Sequence, residues 1–391
     1  MSSSRSFRRR WAPFLLVVGI VFIPALTVMA TIGADRLGYC VNNILPGELG
    51  LNVDPYVQNV ADTEASVLWR SAAEKSGIIR WEGSNGEVSE IELKPDRLQV
   101  ARLIDLEPAT QYAYTVSIGE LEFEGTVTTA PPATASVTIG ALGDSGTASR
   151  AQYDVAAQLR LASPDLVLHT GDVVYRRGAL CHYGPKFFAP YGEMIRHVPV
   201  YPVIGNHDLM AADGRAYFES FDLPSEIGSN LESYYSFDYG PVHFVSLSSE
   251  LYEKENLDDA GAQKTWLEAD LADNDRPWTI VTIHRPPYSS TSGKASDSVR
   301  NDLVPILEAF EVDLVLSGHA HNYERTNQVN GVVYIVTGGG GADLYDVGTS
   351  EWTAHSAREH HFVKIDASPN ALDVVAISRD GNILDQISIE R

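Results

Sequence analysis

Val137-Thr138-Ile139-Gly140-Ala141-Leu142 runs straight into Gly143-Asp144-Ser145-Gly146. The first six residues form a short apolar run, the pattern of a buried strand. The next four end it on a carboxylate flanked by glycine, where the backbone can turn sharply. The arrangement recurs along the chain. Asp165 to His169 leads into Gly171-Asp172-Val173-Val174-Tyr175, and Val198 to Ile204 leads into Gly205-Asn206-His207-Asp208. Trp278 to Ile283 closes Val281-Thr282-Ile283-His284, and Val312 to Leu316 precedes Gly318-His319-Ala320-His321. Ser149 to Leu161, Ala260 to Ala272 and Asp297 to Phe310 carry helical patterns between these runs, with Pro305 a start or kink inside the last. Tyr234 to Leu247 reads as a hairpin around Asp238-Tyr239-Gly240. Phe362 to Ile389 reads as closing strands with a turn at Asp380-Gly381-Asn382. Strands alternating with helices predict an α/β fold. Each motif then sits just past the carboxyl end of a strand, the edge at which ligands bind in such sheets.

Upstream the pattern changes to period two. Ala65 to Trp69, Gly77 to Trp81, Val88 to Leu93 and Tyr112 to Ile118 alternate, with turn residues such as Ser84-Asn85-Gly86 between them. This predicts an all-β sandwich over about 51–131. Trp69 and Trp81 are expected as core anchors. Thr129-Ala130-Pro131-Pro132-Ala133 marks a stiff boundary before a second domain over 135–391, with its terminal strands at about 360–391.

Residues 1–34 are a separate object. Arg5, Arg8, Arg9 and Arg10 precede an uncharged apolar run from Trp11 to Ala34. That is either a cleaved signal peptide or an uncleaved N-terminal anchor, followed by a linker over 35–50. Either form places the protein outside the cytoplasm: secreted, periplasmic, or anchored with its catalytic domain outside. Membrane contact is expected through residues 11–34 only. Of the two cysteines, Cys40 and Cys181, neither belongs to a CxxC pair, so a thiolate metal site is not expected. Two independent thiols and one Cys40–Cys181 disulfide are both open readings.

The formal net charge is −23, with seven lysines among the 29 basic residues. That leaves no basic patch to serve as a nucleic-acid footprint. It also repels phosphorylated molecules at long range, so capturing one demands local cations. The motifs supply the means. They offer two carboxylates, a phenol, an amide oxygen and four imidazoles, a donor set that suits Fe, Zn or Mn. Asp172, central and with two oxygens, is the natural bridge between two ions. Such a pair of metals serves attack on phosphorus esters.

In this order and context the motifs resemble those of the calcineurin-like metallophosphoesterase superfamily, and in detail those of purple acid phosphatases. The usual Asp-x-His is replaced by Asp144-Ser145-Gly146, and Tyr175 follows the bridging aspartate by three. Leu106 to Tyr114 is similar to the corner of a fibronectin type III domain, with Tyr112 expected to bond the upstream backbone. The resemblance covers roughly 51–391. It implies a fibronectin type III-like domain followed by a four-layer αββα sandwich of mixed sheets. It further implies Fe(3+) on Asp144, Tyr175 and His321, and Fe(2+), Zn(2+) or Mn(2+) on Asn206, His284 and His319, bridged by Asp172. The implied activity is that of an acid phosphatase, in which a metal-bridging hydroxide attacks phosphate monoesters in line. A phosphodiesterase or nucleotidase on the same pair is the alternative. An inactive surface binding protein is the third reading, disfavoured because every ligand position is filled. Small phosphate esters are the expected partners. His207 is the expected catalytic group, with Asp208 beside it as partner, and Asn206, His207 and Arg285 are expected to contact substrate.

One departure stands out. Familiar members carry a further histidine about nine residues past the Val-x-x-His motif, where this chain has Tyr288 to Lys294 without an imidazole. His169 reads as a core or supporting histidine. His182, His197, His243 and His355 read as structural or surface groups, as does the pair His360-His361 before the strand at Phe362, for which a rim role is the minor alternative. Gly338 to Gly341 reads as a tight loop near the site, and Glu250, Glu253, Glu255, Asp258 and Asp259 as a solvated loop.

Overall fold

The computed structural model describes residues 52–83, 86–224, 233–253 and 257–391. The N-terminal segment 1–34, the linker and the pairing of Cys40 lie outside the described residues, as does Glu255. Cys181 is not a free thiol. Among the described residues no helix is long and apolar enough to cross a membrane.

Five antiparallel strands make the N-terminal region: β1 (Val53–Gln58), β2 (Ala65–Glu82), β3 (Val88–Leu103), β4 (Gln111–Ile118) and β5 (Leu121–Thr128). The sequence reading divides Ala65–Trp69 from Gly77–Trp81, whereas the structure joins them in one long β2. The strand folds back on itself, however. Eight extended residues span roughly 26 Å, yet a Cβ on Gly77 would stand 2.5 Å from the Trp69 ring. The reversal falls at the pairing irregularities between Arg70 and Gly77. β1 pairs with the first half of β2 and β4 with the second, so one connected sheet encloses Trp69, Ile79 and Val116. Tyr112 buries its ring, and its hydroxyl accepts from the Glu107 amide at 2.7 Å.

Two further sheets follow. The six-stranded sheet contains β6 (Val137–Leu142), β7 (Leu166–His169) and β8 (Val200–Pro202) in parallel, extended by the antiparallel β16 (His361–Ala367), β17 (Ala371–Ser378) and β18 (Ile383–Glu390). In the seven-stranded sheet, β10 (Val242–Leu247), β11 (Trp278–Ile283), β12 (Leu314–Ser317) and β14 (Val333–Thr337) run parallel. β9 (Tyr235–Tyr239), β13 (Tyr323–Thr326) and β15 (Thr353–Ala357) are antiparallel to their neighbours. Helix α1 (Arg150–Leu161) begins at Ser149, whose hydroxyl accepts from the Gln152 amide, a standard N-cap. Helices α2 (Glu250–Glu253) and α3 (Leu257–Asp273) follow β10. The predicted helix from Asp297 splits at Leu303 into α4 (Asp297–Asp302) and α5 (Val304–Ala309), because Pro305 starts the second.

Period-two alternation explains the layering. Trp278, Ile280, Leu314, Leu316, Val333 and Ile335 share one core with Ile139, Ala141, Val363 and Ile365 of the other sheet. Val281, Ile283, Val315 and Tyr334 share a second core with Leu267, Leu271 and Leu307 of the helices and with Leu303 at the α4–α5 junction. Strands apolar on both faces are the mark of a sheet covered on both sides. The result is two mixed sheets face to face with helices outside, the layering that the family resemblance implies. The five motif loops leave the ends of β6, β7 and β8 in one sheet and of β11 and β12 in the other. The site therefore lies across the paired edges of two sheets.

Candidate metal centre

Two groups of donors meet around Asp172. The first surrounds the Tyr175 hydroxyl, which lies 2.8 Å from Asp144 Oδ1, 3.0 Å from Asp172 Oδ2 and 2.9 Å from His321 Nε2. The second brings His284 Nε2 to 3.2 Å from Asn206 Oδ1 and 3.5 Å from Asp172 Oδ2. Ligand atoms of Asp172, His284 and His319 all lie within 4.8 Å of one another. Asp172 Oδ2 thus belongs to both groups, while its Oδ1 accepts from the His207 amide at 2.8 Å. All seven sequence-predicted donors converge, although they come from loops up to 177 residues apart between Asp144 and His321.

The backbone is bent to achieve this. Asp144, Asp172 and His319 have φ of 56°, 52° and 64°. Left-handed backbone costs an ordinary residue roughly 1–2 kcal/mol, and such outliers gather at functional sites. Close packing fixes the loops as well. A Cβ on Gly205 would lie 2.3 Å from Asp172 Oδ1, and one on Gly338 would lie 2.9 Å from Asp144 Oδ2. The glycine run therefore passes directly behind the first group.

The chemistry of the donors calls for positive charge. A phenol has one proton, and here it faces three acceptors. His321 Nδ1 lies 2.8 Å from the Asp343 carbonyl, and His284 Nδ1 lies 2.8 Å from that of Thr170. A carbonyl only accepts, so each Nδ1 carries the hydrogen and each Nε2 points inward. Burial, with Asp144 and Asp172 adding to it, pushes the Tyr175 phenol well above its usual range. Burial alone raises Asp144, but the hydrogen bond and charge of His321 outweigh it and bring the carboxyl down to about 2. Burial raises Asp172. Burial disfavours charge on His284 and His321 too, yet the two carboxylates raise both. His319 goes the other way, down to about 2, through burial and the nearby cations His284, Lys294 and Arg285. The set of inward lone pairs around two carboxylates fits a pair of cations.

The surroundings depart from the sequence reading in two places. Asp208 does not partner the His207 ring. Its carboxylate is fully buried and accepts the amides of Val173, Val174 and Gly205 at 3.1, 3.2 and 3.0 Å, tying two ligand loops together. The His207 ring instead places Nδ1 2.6 Å from the Arg176 carbonyl, with Nε2 3.9 Å from Asp172 Oδ2. Nor is Glu250 part of a solvated loop. It is 4% exposed, and its carboxylate takes Arg285 Nε at 2.7 Å and Nη2 at 3.4 Å. This pair aims Arg285 Nη1 at His319 Nε2, 3.3 Å away. A buried acid thirty-five residues from its partner left no local signal in the sequence.

Five further histidines bond groups outside the two donor clusters. His169 Nε2 meets Ser145 Oγ at 2.9 Å beneath Asp144, and burial drives its pKa down to about 4. His197 bonds Thr126, His243 sits between Asp238 and Asp270, and His361 meets Thr337. His360 Nδ1 lies 3.2 Å from the Gly339 carbonyl. Tyr345 likewise has no signal in the sequence: it stacks on His321, with centroids 4.1 Å apart and planes at 12°.

Residues 137–323 match the Calcineurin-like phosphoesterase family, so this chain carries a calcineurin-like metallophosphoesterase domain. Purple acid phosphatases are its relatives. The chain is 32% identical to purple acid phosphatase 23 of Arabidopsis thaliana over 61% of each chain. It is 27% identical to a protein named probable inactive purple acid phosphatase 1 from the same plant, over 76% of this chain and 58% of that one. Among solved structures, a purple acid phosphatase from yellow lupin (Lupinus luteus) seeds superposes with a TM-score of 0.77 at 21% identity, covering 90% of this chain and 76% of the other. That likeness speaks for the fold, including the β-rich N-terminal region. The chain spans between about half and three fifths of the length of the curated relatives it matches.

Proposed function

We propose that this protein is an exported binuclear-metal phosphatase that hydrolyses phosphate monoesters. The meeting of the two donor groups at Asp172, whose Oδ2 lies 3.0 Å from the Tyr175 hydroxyl and 3.5 Å from His284 Nε2, carries the reading. Asp144, Tyr175 and His321 would hold one cation, a ferric ion being suited to the phenol. Asn206, His284 and His319 would hold a divalent one, and Asp172 both. Bound there, the pair supplies Lewis acidity and an activated water at neutral pH. The chain's own residues do the rest. His284 and His321 are fixed in orientation by the Thr170 and Asp343 carbonyls, so neither ring must reorganise. His207, with Nδ1 fixed on the Arg176 carbonyl, presents Nε2 toward the site and holds or delivers a proton at the ester's leaving oxygen. Arg285, held in line by Glu250, offers Nη1 to a phosphoryl oxygen. Asp208 acts as a brace. The relative named as probably inactive does not set the reading here, because no donor position of this chain is lost.

The deciding experiment measures iron, zinc and manganese content, the visible spectrum, and turnover of a monoester, a diester and a nucleotide over a pH series. About two metals per chain, a phenolate band and preference for the monoester are expected. Faster turnover of the diester or nucleotide would replace the monoesterase assignment with the alternative. A protein that takes up no metal from iron and zinc would end the reading altogether.

A further inference from the structure

The loop after β11 carries a cation that the donor groups do not explain. Its backbone is pinned at both ends. Ser296 donates to the Pro286 carbonyl at 2.9 Å, and Asn322, next to His321, donates to Thr291 Oγ1 at 2.6 Å. Between them Thr291 to Lys294 closes a turn, the Lys294 amide bonding the Thr291 carbonyl at 3.1 Å with Gly293 at φ 67°. Glycine at the third position is what such a turn requires. The turn delivers Lys294 Nζ to 4.5 Å from the centre of the Tyr345 ring. Tyr345 is itself stacked on His321, and its amide bonds the His321 carbonyl at 2.9 Å. The ammonium therefore stands one ring away from a proposed metal ligand, half-buried, on a ring stacked against that ligand.

No carboxylate lies within ion-pair distance of Lys294 among the described residues. Arg285, the other cation at this rim, is matched by Glu250. The aromatic face offsets part of the cost of half-burying the ammonium, but it supplies no hydrogen-bond acceptor for its three N–H groups. Asp144 and Asp172 are near enough to act on Lys294 through space, yet they face inward to the donor groups. Once two multivalent cations occupy that centre, they outweigh the two carboxylates and the phenol. The rim then carries net positive charge beside the Lys294 ammonium, which is a seat for an anion.

We propose that Lys294, seated on Tyr345, binds an anionic oxygen of the phosphoryl group and is a substrate-binding residue of this site. The inference rests on the phosphoesterase reading above, but its test does not require turnover. The metal-loaded full chain is titrated with inorganic phosphate by calorimetry, for the native protein, Lys294→Met and Lys294→Arg. Lys294→Met keeps the length of the side chain and removes the charge, and it is expected to weaken phosphate binding about tenfold or more. Lys294→Arg should restore most of the affinity, and metal content and the visible band should not change in either variant. Tyr345→Leu, which removes the seat but not the charge, should weaken binding to a lesser degree. Native-like phosphate affinity in Lys294→Met would overturn the assignment. So would a loss of affinity accompanied by loss of metal, because the role would then be structural. A native protein that binds phosphate but hydrolyses no ester would sink the catalytic reading while leaving Lys294 in place.

Discussion

The two donor groups differ in exposure and in support. Around Tyr175, Asp144 is fully buried and His321 is 6% exposed, and every donor touches another. Around His284, the histidine is buried, but Asn206, His207 and His319 are only partly so. The closed group is backed by the glycine loop and the Tyr345 ring. The open group faces the rim with Arg285 and His207. A fully enclosed, acid-rich seat suits a cation that stays, whereas a partly exposed one leaves room for a substrate oxygen. Asp172 belongs to both, so the contrast is one of roles within a single centre.

This contrast can be broken from either side. Asp172→Ala removes the shared oxygen and should eliminate both cations and all turnover. A variant that kept one full equivalent of metal would show that the groups are independent. His207→Ala should retain both metals but slow turnover by about 10²-fold, read as kcat beside metal analysis, and unchanged kinetics would move proton delivery elsewhere. Tyr175→Phe touches the closed group alone. It should bleach the visible band while leaving the fold and the zinc- or manganese-type site intact, as followed by absorbance and thermal unfolding. Glu250→Gln acts furthest out. By loosening Arg285 it should raise KM roughly three- to tenfold with kcat nearly unchanged, and an equal fall in kcat would place Arg285 in the rate-limiting step instead.

Much of this was legible in the chain. A carboxylate, amide or histidine at the end of an apolar run marks a polar side chain at a strand end, so the meeting of Asp144, Asp172, Asn206, His284 and His319 on one rim could be read directly. Tyr175 was readable because it falls three residues past Asp172. The N-terminal strands were readable from alternation, but not the reversal inside β2, because exposed polar residues between Arg70 and Gly77 mark a turn and an edge strand alike. Pairings between distant residues left no local trace. Asp208 follows His207 in sequence yet serves three backbone amides, since a buried carboxylate goes where unpaired N–H groups converge. Glu250 sits among other acids, and only its burial distinguishes it. Tyr345 and Lys294 meet because two loops from different strands cross, a contact no spacing rule encodes.

The seam between the β-rich N-terminal region and the rest has a further consequence. Tyr201 Oη both accepts from the Val60 amide and donates to its carbonyl, at 2.9 and 3.0 Å, and Tyr56 Oη donates to the Ser220 carbonyl at 2.9 Å. Ser66 bonds Asp222, and Arg70 pairs with Glu219. These contacts bracket the stretch that carries Asn206 and His207. The leading module thus works as a splint on the more open side of the catalytic rim, and trimming it away would be felt first as looseness in substrate handling, well before the enclosed side let go of its ion.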